Sequence, residues 1–178
     1  MLVALALALA VAVAVAAPAP PATPRPPPAP CSAPEYRQLD FWVGEWDAEF
    51  ALPGGKTGRA VNRITRNEYG DCVIAEHFEQ ADIGYVGGSH STYDPQKKKW
   101  VQTWVDSGGA YITLIGGPVV GQPYSFELVT TEPKGPKRTW SRMIWQDVKP
   151  GSFTWRWQAR QADGSYADSW VIRYKRRK

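Results

Sequence analysis

The sequence is poor in the residues that most often hold metals and redox centres: two cysteines, two methionines and two histidines, His77 and His90, in 178 residues. Two histidines with no cysteine or carboxylate cluster around them do not make the ligand spacing a zinc site needs, so no metal is expected. No Ser/His/Asp set has recognisable local context, and Gly87-Gly88-Ser89 lacks the strand–turn–helix setting of a nucleophile elbow. There is no phosphate-binding loop. Helical periodicity is missing as well. No such run exceeds about two turns, and residues 34–40 are the one candidate for a short helix. Charge of one sign is equally scarce. The net charge of +4 equals the contribution of Lys175, Arg176, Arg177 and Lys178, so the remainder of the chain sums to zero. A uniformly basic nucleic-acid binder, a collagen-like chain and a multi-span membrane protein are thereby excluded.

What the sequence does contain is unevenly spread. Residues 2–17 are an unbroken apolar run of Ala, Val and Leu ending in Ala14-Val15-Ala16-Ala17. It is short for a membrane span, and its small-residue end suits a signal-peptidase site, so residues 1–17 read as a signal peptide. The alternative is an uncleaved anchor. Nine of the 16 prolines fall between Pro18 and Pro34. Proline lacks an N–H and fixes φ near −65°, so residues 18–34 read as an extended polyproline-II linker. Cys31 follows Pro-Ala-Pro, not a lipoprotein box, and is not read as a lipid anchor. An exported chain with only Cys31 and Cys72 is expected to bridge them, closing a loop of about 41 residues worth roughly 4 kcal/mol on the chain-entropy model. Two free thiols are the alternative. The predicted location is periplasmic or secreted.

From Phe41 onward, turn signals recur every 8 to 14 residues: Pro53-Gly54-Gly55, Tyr69-Gly70-Asp71, Asp94-Pro95-Gln96, Ser107-Gly108-Gly109, Gly116-Gly117-Pro118, Pro150-Gly151, Asp163-Gly164. Between them lie short stretches rich in Val, Ile, Thr, Trp, Tyr and Phe. This is the pattern of an antiparallel meander. Alternation is clearest late in the chain, where Phe153, Trp155 and Trp157 share one face and Trp170, Ile172 and Tyr174 form a similar inward set. About ten strands are predicted, and a meander of that size removes its edges most simply by closing into an up-and-down barrel. The expected fold class is all-β, one barrel over residues 35–174 with a short N-terminal helical plug and a basic tail at 175–178.

Leu39-Asp40-Phe41-Trp42-Val43-Gly44-Glu45-Trp46 opens the first strand, followed in order by Asn62-x-Ile64, Gly70-Asp71-Cys72-Val73-Ile74-x-Glu76-His77, Tyr93-Asp94-Pro95 and Trp100-x-x-x-Trp104-Val105-Asp106. The ordered set resembles an exported bacterial group of lipocalin-like (calycin) barrels of uncharacterised function. Independently of that resemblance, Gly44 allows a close approach at the helix-to-strand entry and Trp46 lays a large plate across the barrel floor, beside Trp42. The calycin pattern implies an arginine of the last strand packing over that tryptophan, and Arg173 is the candidate by position. Neighbouring nitrobindin-like barrels hold haem through a histidine near the C-terminus. This chain has no histidine after His90, so haem is disfavoured and no cofactor is expected.

Trp100, Gln102, Trp104 and Asp106 share one face of a strand, and Val101, Thr103 and Val105 share the other. With the tryptophan face inward, the barrel gains an aromatic wall with a few orienting polar groups, the composition of a small-molecule pocket. The opposite orientation leaves the pair outside. Candidate ligand-binding residues are Glu76, His90, Gln102, Trp104, Tyr111 and Trp157. Glu76 has a second reading as an interior carboxylate paired with Arg63 or Arg142. The expected function is binding of a small apolar or aromatic molecule with no reaction implied. The alternatives are an enzyme using Glu76 as acid/base with His90 or Tyr111, and a filled barrel serving as an envelope structural or interaction module. No nucleic-acid partner is expected; the basic tail suggests weak contact with a membrane surface.

Overall fold

In strand β1 (Gly44–Ala51) Trp46, Ala48 and Phe50 are buried while Glu45, Asp47, Glu49 and Ala51 are exposed. That period of two is what a pleated backbone imposes when one face meets a core and the other meets water. The computed structural model describes residues 29–66 and 68–178; the predicted signal segment and residues 18–28 of the linker lie outside the described residues. After β1 the chain continues through β2 (Thr57–Thr65), β3 (Glu68–Asp71), β4 (Val73–Gln80), β5 (Tyr85–Asp94) and β6 (Lys99–Asp106). It ends with β7 (Tyr111–Pro118), β8 (Phe126–Thr130), β9 (Ser141–Lys149), β10 (Ser152–Arg160) and β11 (Tyr166–Arg176).

Ten of these strands form a closed barrel in which each pairs with its neighbours in sequence, β3 alone taking no place in the ring. All pairings are antiparallel, and β1 closes the ring against β11 with Trp46 opposite Arg176 and Phe50 opposite Ile172. The predicted all-β up-and-down barrel is therefore the fold. Among the described residues no helix is long and apolar enough to cross a membrane.

The turns follow from side-chain chemistry. At the β5–β6 hairpin Asp94 Oδ1 accepts from the amides of Gln96 (2.9 Å) and Lys97 (3.1 Å), an Asx-type turn that places Lys97-Lys98-Lys99 at the hairpin.

One end of the barrel is plugged. Two 3-10 turns, Pro34–Arg37 and Asp40–Trp42, cross it and bury Leu39 and Trp42. The Trp46 indole N–H donates to the carbonyl of Trp42 at 2.7 Å, and the Trp100 indole N–H donates to Gln38 Oε1 at 3.0 Å. Arg66 ties the plug to the wall through Asp40 and the carbonyl of Asp71. Cys31 and Cys72 form a disulfide, Cα–Cα 5.1 Å, which staples the segment ahead of the plug to the start of β4.

Two expectations about the last strand are corrected. Arg173 does not cap Trp46; it is exposed on the outer face, in register with Glu49. Arg176 is the cap, its guanidinium carbon 4.2 Å from the centre of the Trp46 ring. The reason is parity: 172, 174 and 176 point inward and 173 points out. Nor do the basic residues form a separate tail, because β11 runs through Arg176. Arg177 pairs with Asp47 at 3.1 Å and reaches Glu45 at 3.9 Å. The outer face of β1 is acidic and is flanked on both sides by basic residues, including Arg59 and Arg63 of β2.

Candidate functional site

Between the plug and the open mouth the barrel encloses a cavity of about 180 Å³. Six of the nine tryptophans line it: Trp42 from the plug, Trp104 from β6, Trp145 from β9, Trp155 and Trp157 from β10, and Trp170 from β11. The five strand tryptophans converge because each occupies an inward position on its strand, and Trp42 meets them from the plug. Trp155 and Trp157, two apart on β10, lie nearly parallel with ring centroids 6.4 Å apart, and Trp170 meets Trp155 edge-on at 5.8 Å. Gly87 on β5 makes room for the Trp104 ring, since a Cβ there would lie 2.3 Å from it.

The polar groups of the wall fall into two sets. At the rim, Asp106 Oδ2 accepts from the Tyr85 hydroxyl and the Trp104 indole N–H, both at 2.9 Å. Its Oδ1 accepts from the amides of Gly108 (2.9 Å) and Ala110 (3.1 Å). Burial works against the Asp106 charge, but these hydrogen bonds outweigh it and hold the carboxyl below its usual range. Asp106 thus fixes the β6–β7 turn and the orientation of Trp104. Burial raises the Tyr85 hydroxyl, and the neighbouring Asp106 raises it further.

The second set lies deeper. Glu76 on β4 receives the Asn62 amide N–H on Oε1 at 2.8 Å and the Ser89 hydroxyl on Oε2 at 2.6 Å. Asn62 also approaches the Tyr174 hydroxyl at 3.4 Å. Asn62 and Ser89 sit on β2 and β5, the two strands flanking β4, so the carboxyl is held from both sides. No arginine joins it, contrary to the pairing with Arg63 or Arg142. Arg63 is on the outer face near Glu45 and Glu79, and Arg142 pairs with Glu127 at 2.7 Å beneath the ring of Tyr166. Desolvation without a cation pushes the Glu76 carboxyl up to about 7, against the pull of the two hydrogen bonds. Tyr174 is also raised, by burial first and by Glu76 second.

The inward orientation of Trp100, Gln102, Trp104 and Asp106 is the one the chain adopts. Of the six residues expected to contact a ligand, Glu76, Trp104 and Trp157 line the cavity together. Gln102 is inside the barrel but beneath it, donating to Ser91 Oγ at 2.8 Å. His90 and Tyr111 are corrections. His90 is exposed and packs edge-on against Tyr69 with centroids 5.2 Å apart, and Tyr111 is exposed beneath the ammonium of Lys134. Both sit on the outward parity of their strands, so neither can assist Glu76. His77 is exposed too, so no histidine reaches the cavity. Among the described residues no group of three or more His, Cys, Asp or Glu side chains could hold a metal ion.

Sequence reasoning passed over Trp42, Tyr85, Trp145 and Tyr174 as cavity residues, and over Asn62 and Ser89 as partners of Glu76. For Asn62 part of the signal was present, because it shares the parity of Ala60 and Ile64 and a polar residue at an inward position requires a partner; that the partner is Glu76 follows only from the register.

Residues 32–176 match the model of a family described as "Protein of unknown function (DUF1579)". No curated protein matches the chain. Among solved structures it is similar to a redesigned beta barrel, 10% identical with a TM-score of 0.32, the alignment covering 80% of this chain and 96% of that one.

Proposed function

This chain belongs to the DUF1579 family, whose description names no activity, and we propose from its site that it is an exported, lipocalin-like barrel that binds one small, largely aromatic or apolar molecule. The observation that carries this is the cavity itself: about 180 Å³ of space walled by tryptophan, in a barrel whose floor is fully packed. Interiors normally fill to crystal-like density, so a tryptophan-walled space left unfilled by side chains behind an open mouth marks a place for a ligand. A cavity of about 150 Å³ lined by apolar groups is already large enough for a benzene-sized molecule. A wall that is mostly apolar, with the Glu76 carboxyl set deep within it, is the composition of a site that orients a ligand. Export is supported by the Cys31–Cys72 disulfide, which suits an oxidising compartment, together with the apolar run at residues 2–17.

The test is intrinsic tryptophan fluorescence titrated with a panel of simple aromatic compounds, short fatty acids, amines and haemin. Saturable quenching by one class, lost on Trp157→Ala, is the expected result. A panel that leaves the emission untouched would overturn the binding reading in favour of a structural role.

A further inference from the structure

We propose that the ligand is an organic amine, its protonated nitrogen set against Glu76 and its apolar body held among the tryptophan rings. This rests on the cavity being a binding site and names the chemistry that site selects. Among the described residues the ionisable side chains lining the cavity are Glu76, Asp106, Tyr85 and Tyr174, and no lysine, arginine or histidine lines it. A ligand carboxylate or phosphate would therefore meet negative charge and no counter-cation.

The two acids are not equivalent. Asp106 accepts four hydrogen bonds from within the chain, which uses its capacity. Once ionised, Glu76 accepts two, one on each oxygen, and keeps a lone pair free on both. Asn62 and Ser89 stand behind it and do not line the cavity, so the polar group the inner end presents besides the Tyr174 hydroxyl is the Glu76 carboxyl. When ionised, that end offers acceptors and no charged donor. An ammonium group carries three N–H donors and no acceptor, so it complements this end, where an ether or a ketone does not.

The wall supports the same choice. Ring faces carry the negative part of the aromatic quadrupole, and cations bound away from water are attracted to them, most strongly to tryptophan. A carboxyl buried with no cation nearby favours its protonated form, whereas a bound ammonium favours the ionised one, so binding near neutral pH releases to solvent the proton of those molecules that still hold it. The groups facing Glu76 are Asn62 on β2, Ser89 on β5 and Tyr174 on β11, with Tyr85 and Asp106 at the rim. The tyrosines are raised, and Asp106 is lowered, so across pH 5.5 to 8 the titrating group among them is Glu76.

Phenethylamine, 2-phenylethanol and phenylacetate share one ring and differ in the head group. Titrated into the disulfide-bonded chain at pH 8, phenethylamine is expected to bind about tenfold more tightly than the alcohol, with phenylacetate weakest. At pH 5.5 the amine preference should shrink by about fivefold or more as Glu76 holds its proton. Glu76→Gln should abolish the preference while leaving 2-phenylethanol bound. If 2-phenylethanol or phenylacetate binds as tightly as the amine, or the wild-type preference does not change with pH, the amine assignment falls and the binding reading stands. Should Glu76→Gln fail to fold, the wild-type pH profile decides alone. Silence from these three together with the whole wider panel would overturn the binding reading itself.

Discussion

Arg176 places its guanidinium over the Trp46 ring at 4.2 Å, and Gly44 is what lets it arrive: a Cβ on Gly44 would lie 2.1 Å from Arg176 Nη1. The same guanidinium donates to the carbonyls of Val43 and Pro150, both at 3.1 Å. One side chain thus joins the start of β1, the β9–β10 turn and the barrel floor. Arg176→Ala should cost about 1 to 2 kcal/mol, while Arg173→Ala, on the outer face, stays within about 0.5 kcal/mol. Urea denaturation of both variants checks this; equal losses would mean that the Trp46 contact contributes nothing specific.

Gly87→Ala should narrow the cavity. The new methyl would meet the Trp104 ring at 2.3 Å, so the ring must swing into the space a ligand would use. Overpacking of this kind costs about 1 to 3 kcal/mol, and ligand affinity should fall with it. Thermal melts and fluorescence titration of the variant measure the two effects separately.

His90→Ala and Tyr111→Ala should leave ligand binding within twofold of wild type, about 0.4 kcal/mol, because both side chains point away from the cavity. Trp157→Ala removes part of the wall and should weaken binding by tenfold or more, about 1.4 kcal/mol. Titration of the three variants with one ligand tests the division between inner and outer faces.

The Glu76 carboxyl is raised from 4.5 to about 7 in the folded chain. The native state therefore holds this proton more firmly than the unfolded state. Its contribution to stability is fully present below the unfolded value and is lost as pH rises through about 7. Glu76→Gln cannot titrate, so the stability difference between wild type and variant should drift against wild type by up to about 3 kcal/mol between pH 4.5 and 7.5. Chemical denaturation of both chains across that range checks the sign.

Removing the disulfide with Cys31→Ser and Cys72→Ser together should destabilise the folded chain by up to roughly 4 kcal/mol on the chain-entropy model. Denaturation midpoints with and without reductant, and the wild-type mass under non-reducing conditions, provide the check.

The barrel was legible because period-two alternation and turn residues are local signals. Which face of β6 points inward was not, since Trp100–Trp104 and Val101–Val105 are both apolar enough to line a core. Arg176 was missed by assigning the cap from position in a pattern; the alternation of Ile172 and Tyr174 already put Arg173 on the outside. His90 and Tyr111 were chosen for chemical type, and Ser89-His90-Ser91 carries no apolar–polar contrast from which its outward face could be read. The Glu76 partners escaped because they lie on two other strands, and cross-strand register is a tertiary property.

The ring of strands is closed by its two most distant members. Val43, at the entry to β1, and Arg176, at the end of β11, bond to each other across 133 positions of sequence. Each earlier pairing joins neighbours along the chain and can form by zipping hairpin onto hairpin, but this last one needs the whole polypeptide. A chain emerging stepwise from a ribosome or a translocation pore would have to display β1 as an unpaired edge until β11 appears. The acidic outer face of β1, with Glu45, Asp47 and Glu49 exposed, is well suited to that wait. Charge along a waiting edge discourages strands of other molecules from adding to it, and those same acids then meet the basic residues of β11 when the ring shuts.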